Sequence, residues 1–204
     1  MADHEGALGA VYAAKTPAEV AAAYDLWAAG YDDEMARTGY RHPAIGLALL
    51  ARHLPKGAAP LLDAGVGTGL AGPWFAILGW PQVWGLDISE GMLAVAARKG
   101  CYARLDRGVL GQALDYPDGF FAAVISTGVF TTGHVGAEAL PELIRITATG
   151  GVIVLTVKGT VWDGGFAAAL AEAPVEVLEV TDRYVSMPGE AATTPSLAVA
   201  LRVG

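Results

Sequence analysis

The sequence predicts an α/β fold, with a mainly parallel sheet covered by helices on both faces and an antiparallel edge. Three observations carry this expectation. From Leu61 onward, short apolar strands alternate with helical segments, the pattern of strands joined by helical crossovers. The first of these strands runs into "DAGVGTG", where glycines at 65, 67 and 69 rule out a continued strand or a helix interior. Near the C-terminus, "VEVLEV" and "LAVALRV" read as two further strands that form the edge.

The elements follow in order. "TPAE" at 16–19 is a helix start: Thr16 caps, Pro17 suits the first turn and Glu19 occupies the capping-box position. That helix is expected to reach about Ala29 and stop at Gly30. A second helix follows Pro43 with Ile45, Leu49 and Leu50 on one face, and "LPKGAAP" connects it onward. Leu61 to Ala64 is a strand, and a helix is expected from about Gly69 to Leu78. Val83 to Asp87 is the next strand, after which Ser89 caps a helix reaching Lys99. Residues 103–105 predict a short third strand, and Phe121 to Ser126 a stronger one. A loop and a helix ending at Gly150-Gly151 come next, then a buried strand over Val152 to Val157, rich in β-branched residues.

Composition narrows the function. The 204 residues suit one domain, with residues 1–58 as helical lid and connector and 59–204 as the core. Apolar residues make up 53% and charged residues 17%, so the chain can bury a core. No apolar run approaches the ~18 residues of a membrane span, and "MADHEGALGA" lacks the features of a signal peptide. Cys101 is the single cysteine, which leaves no disulfide framework and makes a cytoplasmic location the expectation. A net charge of −8 with scattered Lys and Arg argues against a nucleic-acid partner. The four histidines have no metal-ligand spacing, so no metal is expected.

The glycine run carries the chemistry. It follows a strand and opens a helix, where outward backbone N–H groups can meet a ligand that side chains would otherwise exclude. Residues 67–72, "GTGLAG", satisfy G-x-G-x-x-G, which keeps a nicotinamide-dependent reductase as a remote alternative. Asp87 ends the next strand about 20 residues later, where a carboxylate can accept both ribose hydroxyls. A carboxylate that only caps the following helix is the plainer reading of Asp87. Together the two features favour a nucleoside-containing ligand.

The run beginning at Asp63-Ala64-Gly65 and continuing through Gly67 and Gly69 resembles the first motif of class I S-adenosylmethionine-dependent methyltransferases. "GLDISEGMLAVAARK" resembles their second motif, "LDYPDGFFAAVISTGVF" the segment around their fourth strand, and "LPELIRITATGGVIVLT" the helix and fifth strand after it. "YDLWAAGYDDEM" is similar to the segment that lids the cofactor in many small-molecule methyltransferases, and the Williams–Beuren syndrome region methyltransferase-like proteins look most alike. The resemblance covers roughly residues 20–160. It implies a Rossmann-like, seven-stranded sheet, S-adenosylmethionine as cofactor, S-adenosylhomocysteine as product and a small-molecule acceptor. A binding protein of the same fold that transfers no methyl is the alternative.

Carried over residue by residue, the resemblance implies that Gly65, Gly67 and Gly69 admit the methionine portion, that Asp63 orders the loop or meets the amino group directly or through water, and that Ala64 belongs to the same cofactor set. Asp87 would hold the ribose, with Ile88 and Met92 flanking the adenine or simply packing the core. Val109 and Leu110 stand where many relatives place an acid for the adenine amine. Ser126 and Thr127, at the end of the fourth strand, complete the implied cofactor set. Tyr24, Trp27 and Tyr31 recur on one helical face, as a lid or as packing onto the sheet. Tyr40 and His42 extend that cover or belong to a surface loop. His134 follows the fourth strand and is the candidate general base, with a structural hydrogen bond as the plainer role. Trp162 either lines an apolar acceptor pocket or finishes the core.

Overall fold

A computed structural model describes residues 6–132, 135–190 and 193–204. Four helices come first: α1 (Gly6–Ala13), α2 (Pro17–Trp27), α3 (Tyr31–Thr38) and α4 (His42–His53). The strands are β1 (Leu61–Ala64), β2 (Val83–Asp87), β3 (Arg104–Arg107), β4 (Phe121–Phe130), β5 (Thr147–Lys158), β6 (Val175–Val180) and β7 (Ser196–Val203). Between them lie α5 (Gly72–Leu78), α6 (Glu90–Lys99) and α7 (Leu140–Ile146). After β5 come α8 (Gly159–Val161) and α9 (Ala167–Ala171), joined by a π-helical turn that kinks at Gly165.

The strands form one seven-stranded sheet in the order β3-β2-β1-β4-β5-β7-β6. Neighbours are parallel from β3 to β5, and β7 runs antiparallel to both β5 and β6. The order turns back between β1 and β4, because β1 to β3 build outward on one side and β4 returns to the other. Ligands of open α/β sheets bind at such a switch point, beyond the carboxyl ends of the strands. The expected fold and its antiparallel edge are both present.

Two apolar clusters cover the faces of this sheet. One gathers Phe121, Phe130, Leu143, Ile146 and Phe166. The other packs Leu49, Leu50 and Phe75 against Ile125 and Val154. β1 is buried along its whole length, so only a four-residue apolar strand is needed to place the glycine loop. At the N-terminus of α2, Thr16 Oγ1 accepts from the Glu19 N–H at 3.2 Å, and Glu19 Oε2 accepts from the Thr16 N–H at 3.2 Å. This is the expected capping box. Ser89 likewise caps α6, its Oγ accepting the Met92 N–H at 3.0 Å.

Several boundaries differ from the sequence reading. The first lid helix stops at Trp27, and the acid-led "YDDEMART" forms a separate helix, α3. The helix expected from Gly69 begins at Gly72, and the strand expected at 103–105 is Arg104–Arg107. β4 continues four residues past Ser126. The helix expected to end at Gly150-Gly151 ends at Ile146, where the Thr147 hydroxyl turns back to donate to the Leu143 carbonyl at 2.7 Å. Pairing then skips from Phe121↔Thr147 to Ala123↔Val152, and the double glycine lies in that irregularity. A Cβ on Gly151 would stand 2.7 Å from the Ala148 carbonyl oxygen, so the glycine serves a tight strand entry rather than a helix stop.

Candidate functional site

The loop after β1 turns through three left-handed glycines, with φ of +80° at Gly65, +54° at Gly67 and +79° at Gly69. Side chains are strongly disfavoured there, which explains the glycine run at the level of the backbone. The three are not equivalent in space. A Cβ on Gly67 would meet nothing within 4 Å, so this backbone faces open space. A Cβ on Gly65 would fall 2.2 Å from Val129 Cγ2, beneath the end of β4. A Cβ on Gly69 would press on Tyr102 at 2.9 Å and on Ala96 at 3.3 Å, so this glycine lets α6 and the start of β3 pack close.

Asp87 ends β2 and fastens the loop. Its Oδ2 accepts the Gly67 N–H at 2.7 Å and its Oδ1 accepts the Ser89 N–H at 2.9 Å. Burial raises its pKa against the lowering effect of these backbone donors. These bonds leave room for a ligand, because each carboxylate oxygen retains a further lone pair. Asp63 lies deeper, at 2% exposure, where it accepts the Tyr102 hydroxyl at 2.8 Å. Burial pushes its carboxyl up to about 7, with the Tyr102 bond opposing and Asp87 reinforcing the shift.

A cavity lies over this loop at the switch point. Gly65, Gly67 and Asp87 form its base, and Ile88, Met92, Val109 and Leu110 form an apolar wall. Thr127 and Gly128 from β4 close the far side, and Tyr24, Tyr31 and Tyr40 cover it from the helical segment. Ten expected cofactor residues therefore converge: Tyr24, Tyr31, Gly65, Gly67, Asp87, Ile88, Met92, Val109, Leu110 and Thr127.

The remaining five stand behind the cavity. Trp27 is buried, stacks on Tyr24 and donates its indole N–H to Glu34 at 2.8 Å. Asp63 and Ala64 lie within the sheet, and Gly69 beneath Tyr102. Ser126 donates to the Ala64 carbonyl at 2.6 Å, tying β4 to β1 under the loop. Trp162 stacks on Phe166 and packs against the core, so it finishes the core instead of lining the site. His134 lies outside the described residues.

Sequence reasoning did not find the fastening of the lid. Asp25 on α2 accepts the Ser89 hydroxyl at 2.6 Å and the Gly91 N–H at 2.8 Å, and these bonds hold its pKa below the ordinary value. Asp32 on α3 accepts the Thr68 hydroxyl and pairs with Lys99 at 2.6 Å. Both acids belong to the segment read only for its aromatics. Lys15, Pro17 and Val20 also border the cavity, and no local pattern marks them in the sequence as site residues. His42 is buried at 5% exposure and shares a 2.7 Å hydrogen bond with Tyr184, which lies 142 residues away. It belongs to the cover and not to a surface loop.

The donor set fits an adenosyl ligand. A carboxylate lies at the end of β2, the backbone of Gly65 and Gly67 borders the cavity and an apolar slot lies beside them. Among the described residues, no group of three or more His, Cys, Asp and Glu could hold a metal ion.

Fold and site are similar to those of class I S-adenosylmethionine-dependent methyltransferases, whose cofactor is S-adenosylmethionine. The family described as "Methyltransferase domain" matches residues 62–155. Methyltransferase-like protein 27 of Homo sapiens is 39% identical over 138 residues, covering 66% of this chain and 56% of that protein. The ubiquinone/menaquinone biosynthesis C-methyltransferase UbiE of Burkholderia orbicola (strain MC0-3) is 33% identical over 113 residues, covering 50% of this chain and 44% of that one. The chain thus spans about half the length of these curated relatives. Among solved structures, a TehB-like SAM-dependent methyltransferase from Corynebacterium glutamicum superposes with a TM-score of 0.67 at 21% identity, covering 90% of this chain and all of that one. The [4+2]-cyclase SpnF gives a TM-score of 0.68 at 19% identity, covering 94% and 98%. At these identities the two solved structures speak for the fold.

Proposed function

We propose that the protein transfers a methyl group from S-adenosylmethionine to a small-molecule acceptor. The observation that carries this reading is the cavity at the switch point, with Asp87, Gly65 and Gly67 beneath it and three tyrosines above. When bound, the cofactor supplies an electrophilic methyl on a sulfonium. Transfer to an oxygen or nitrogen acceptor would require a side chain of the protein to take the acceptor's proton. The protein's own work is alignment and exclusion of water. Asp87 holds the ribose through its remaining lone pairs. Ile88, Met92, Val109 and Leu110 enclose the adenine without a side-chain acid for its amine. Tyr24 and Tyr31 close the methionine end. His134 is the general base for an oxygen or nitrogen acceptor, and His134→Ala then lowers the chemical rate by about 10²–10⁴-fold.

Charge supports a small acceptor over a nucleic acid. The chain carries −8, and long-range repulsion disfavours polyanions. A single cysteine suits a reducing compartment, which favours the cytoplasm. The test is a single-turnover assay with methyl-labelled donor across a metabolite extract and an RNA pool. Label is expected in small molecules. Labelled RNA overturns the acceptor class. No label anywhere, with S-adenosylhomocysteine bound tightly, establishes the second reading: a binding protein of this fold.

A further inference from the structure

The helical lid is fastened at two points, and each point adjoins a different end of the cofactor site. Asp25, on α2, holds the first. Its Oδ1 accepts both the Ser89 hydroxyl at 2.6 Å and the Gly91 N–H at 2.8 Å. Ser89 is fully buried and joins this acid to the site. Its N–H donates to Asp87 Oδ1 at 2.9 Å, and its Oγ accepts the Met92 N–H at 3.0 Å. One short turn thus carries Asp87 at the cavity base, Ile88 and Met92 on the apolar wall, and two donors tied to the lid. The Asp25 carboxylate also stands at the N-terminus of α6, where the helix dipole favours a negative charge.

Asp32, in the first turn of α3, holds the second point. Its Oδ1 accepts the Thr68 hydroxyl, and its Oδ2 pairs with Lys99 Nζ at 2.6 Å. Thr68 is 1% exposed and stands between Gly67 and Gly69, so this bond fixes the middle of the glycine loop. Lys99 is at the far end of α6, away from the adenine wall. The two acids therefore hold different parts of the site.

We infer that Asp25 and Asp32 are positioning residues for the two ends of the cofactor. Asp25 acts through Ser89 on the nucleoside end, and Asp32 acts through Thr68 on the amino-acid end. The inference deepens the methyltransferase reading and rests on it. A wall that is already fastened need not be ordered when the ligand arrives, so each bond to the lid raises affinity for the part of the ligand that its wall receives. A ligand without the amino-acid group gains nothing from the bond to Thr68.

The test compares S-adenosylhomocysteine with methylthioadenosine, which keeps adenine, ribose and thioether but lacks the amino-acid group. Both are titrated by calorimetry. Asp25→Ala is expected to weaken the two ligands by the same factor, at least about fivefold, the equivalent of one hydrogen bond. Asp32→Ala is expected to weaken S-adenosylhomocysteine by a similar factor and to change methylthioadenosine less than about twofold. Asp25→Asn and Asp32→Asn keep a neutral acceptor oxygen for Ser89 and for Thr68, and are expected to recover most of the loss. Melting curves confirm that each variant is folded. A variant that merely loosens the fold weakens both ligands alike, so equal weakening by Asp32→Ala overturns the assignment of Asp32. Unchanged affinity for both ligands in folded Asp25→Ala overturns that of Asp25. Asparagine variants as weak as the alanine ones place the effect in charge alone and overturn the action through Ser89 and Thr68. Unaltered protein that binds neither ligand strikes instead at the proposed function.

Discussion

Asp87 shows how one residue holds two parts of the site together. Its oxygens fasten the Gly67 and Ser89 N–H groups, and the same carboxylate faces the cavity. Asp87→Ala removes an acceptor of up to two ligand hydrogen bonds, each worth roughly 1.5–3 kcal/mol when charged. Affinity for S-adenosylhomocysteine is expected to fall at least about tenfold, and a calorimetric titration showing no change removes the ribose assignment. Gly128 is the second informative residue. Its φ is +78° and the Tyr40 hydroxyl occupies the space of its missing Cβ. Gly128→Ala therefore incurs about 1–2 kcal/mol of backbone strain and a steric clash. Adding Tyr40→Phe removes the clashing oxygen but not the strain. The melting temperature of the double variant is expected to recover part of the loss. A double variant no more stable than Gly128→Ala places the damage in the backbone alone.

At the scale of elements, the lid is fastened by polar bonds from α2 and α3 to the α6 side of the sheet. Asp25 bridges to Ser89 and Gly91, and the approach is so close that a Cβ on Gly91 would stand 2.9 Å from Asp25 Cα. Asp25→Ala removes two bonds of about 1 kcal/mol each. Amide hydrogen exchange across α2 is expected to quicken several-fold, with β1 and β2 unaffected. Equal quickening in the sheet would mean that the variant loosens the whole fold. Legibility in the sequence follows the same division. β1, β2 and the α6 cap were readable because an apolar strand, a glycine turn and a capping serine are local signals. Asp25 and Asp32 were not, since a carboxylate's partner on another element leaves no mark in spacing. Gly150-Gly151 misled for a related reason: a glycine required by close backbone approach looks in sequence like one that stops a helix. The site residues split likewise. Those near the ends of β1, β2 and β4 were legible from motif position, whereas His42 and Tyr184 meet only through the sheet.

For the whole molecule, two buried groups set opposite pH dependences. Asp63 rises from an ordinary 3.8 to about 7 in the folded state, so between these values the folded chain holds a proton that the unfolded chain has lost. Taken alone, Asp63 makes stability fall as pH rises across that window, and Asp87 acts in the same direction. His42 drops from 6.5 to about 3, so between those values the unfolded chain holds a proton that the folded chain lacks. Taken alone, His42 makes stability rise with pH over its window. From about pH 4 to 6.5 the proton counts of Asp63 and His42 cancel, which leaves the unaltered protein with the shallower slope set by Asp87 and the remaining groups. Asp25 and Glu142 have depressed values and act mainly at lower pH. Asp63→Asn keeps an acceptor for the Tyr102 hydroxyl but cannot ionise. Its unfolding free energy is expected to rise from pH 4.5 to 6 by about 1.4 kcal/mol per pH unit more than that of the unaltered protein. His42→Gln is expected to differ by the same amount with opposite sign, and the double variant to return to a shallow slope. Denaturant titrations at four pH values read all three slopes. Single variants that both remain as shallow as the unaltered protein would show that neither group carries the protonation its burial dictates.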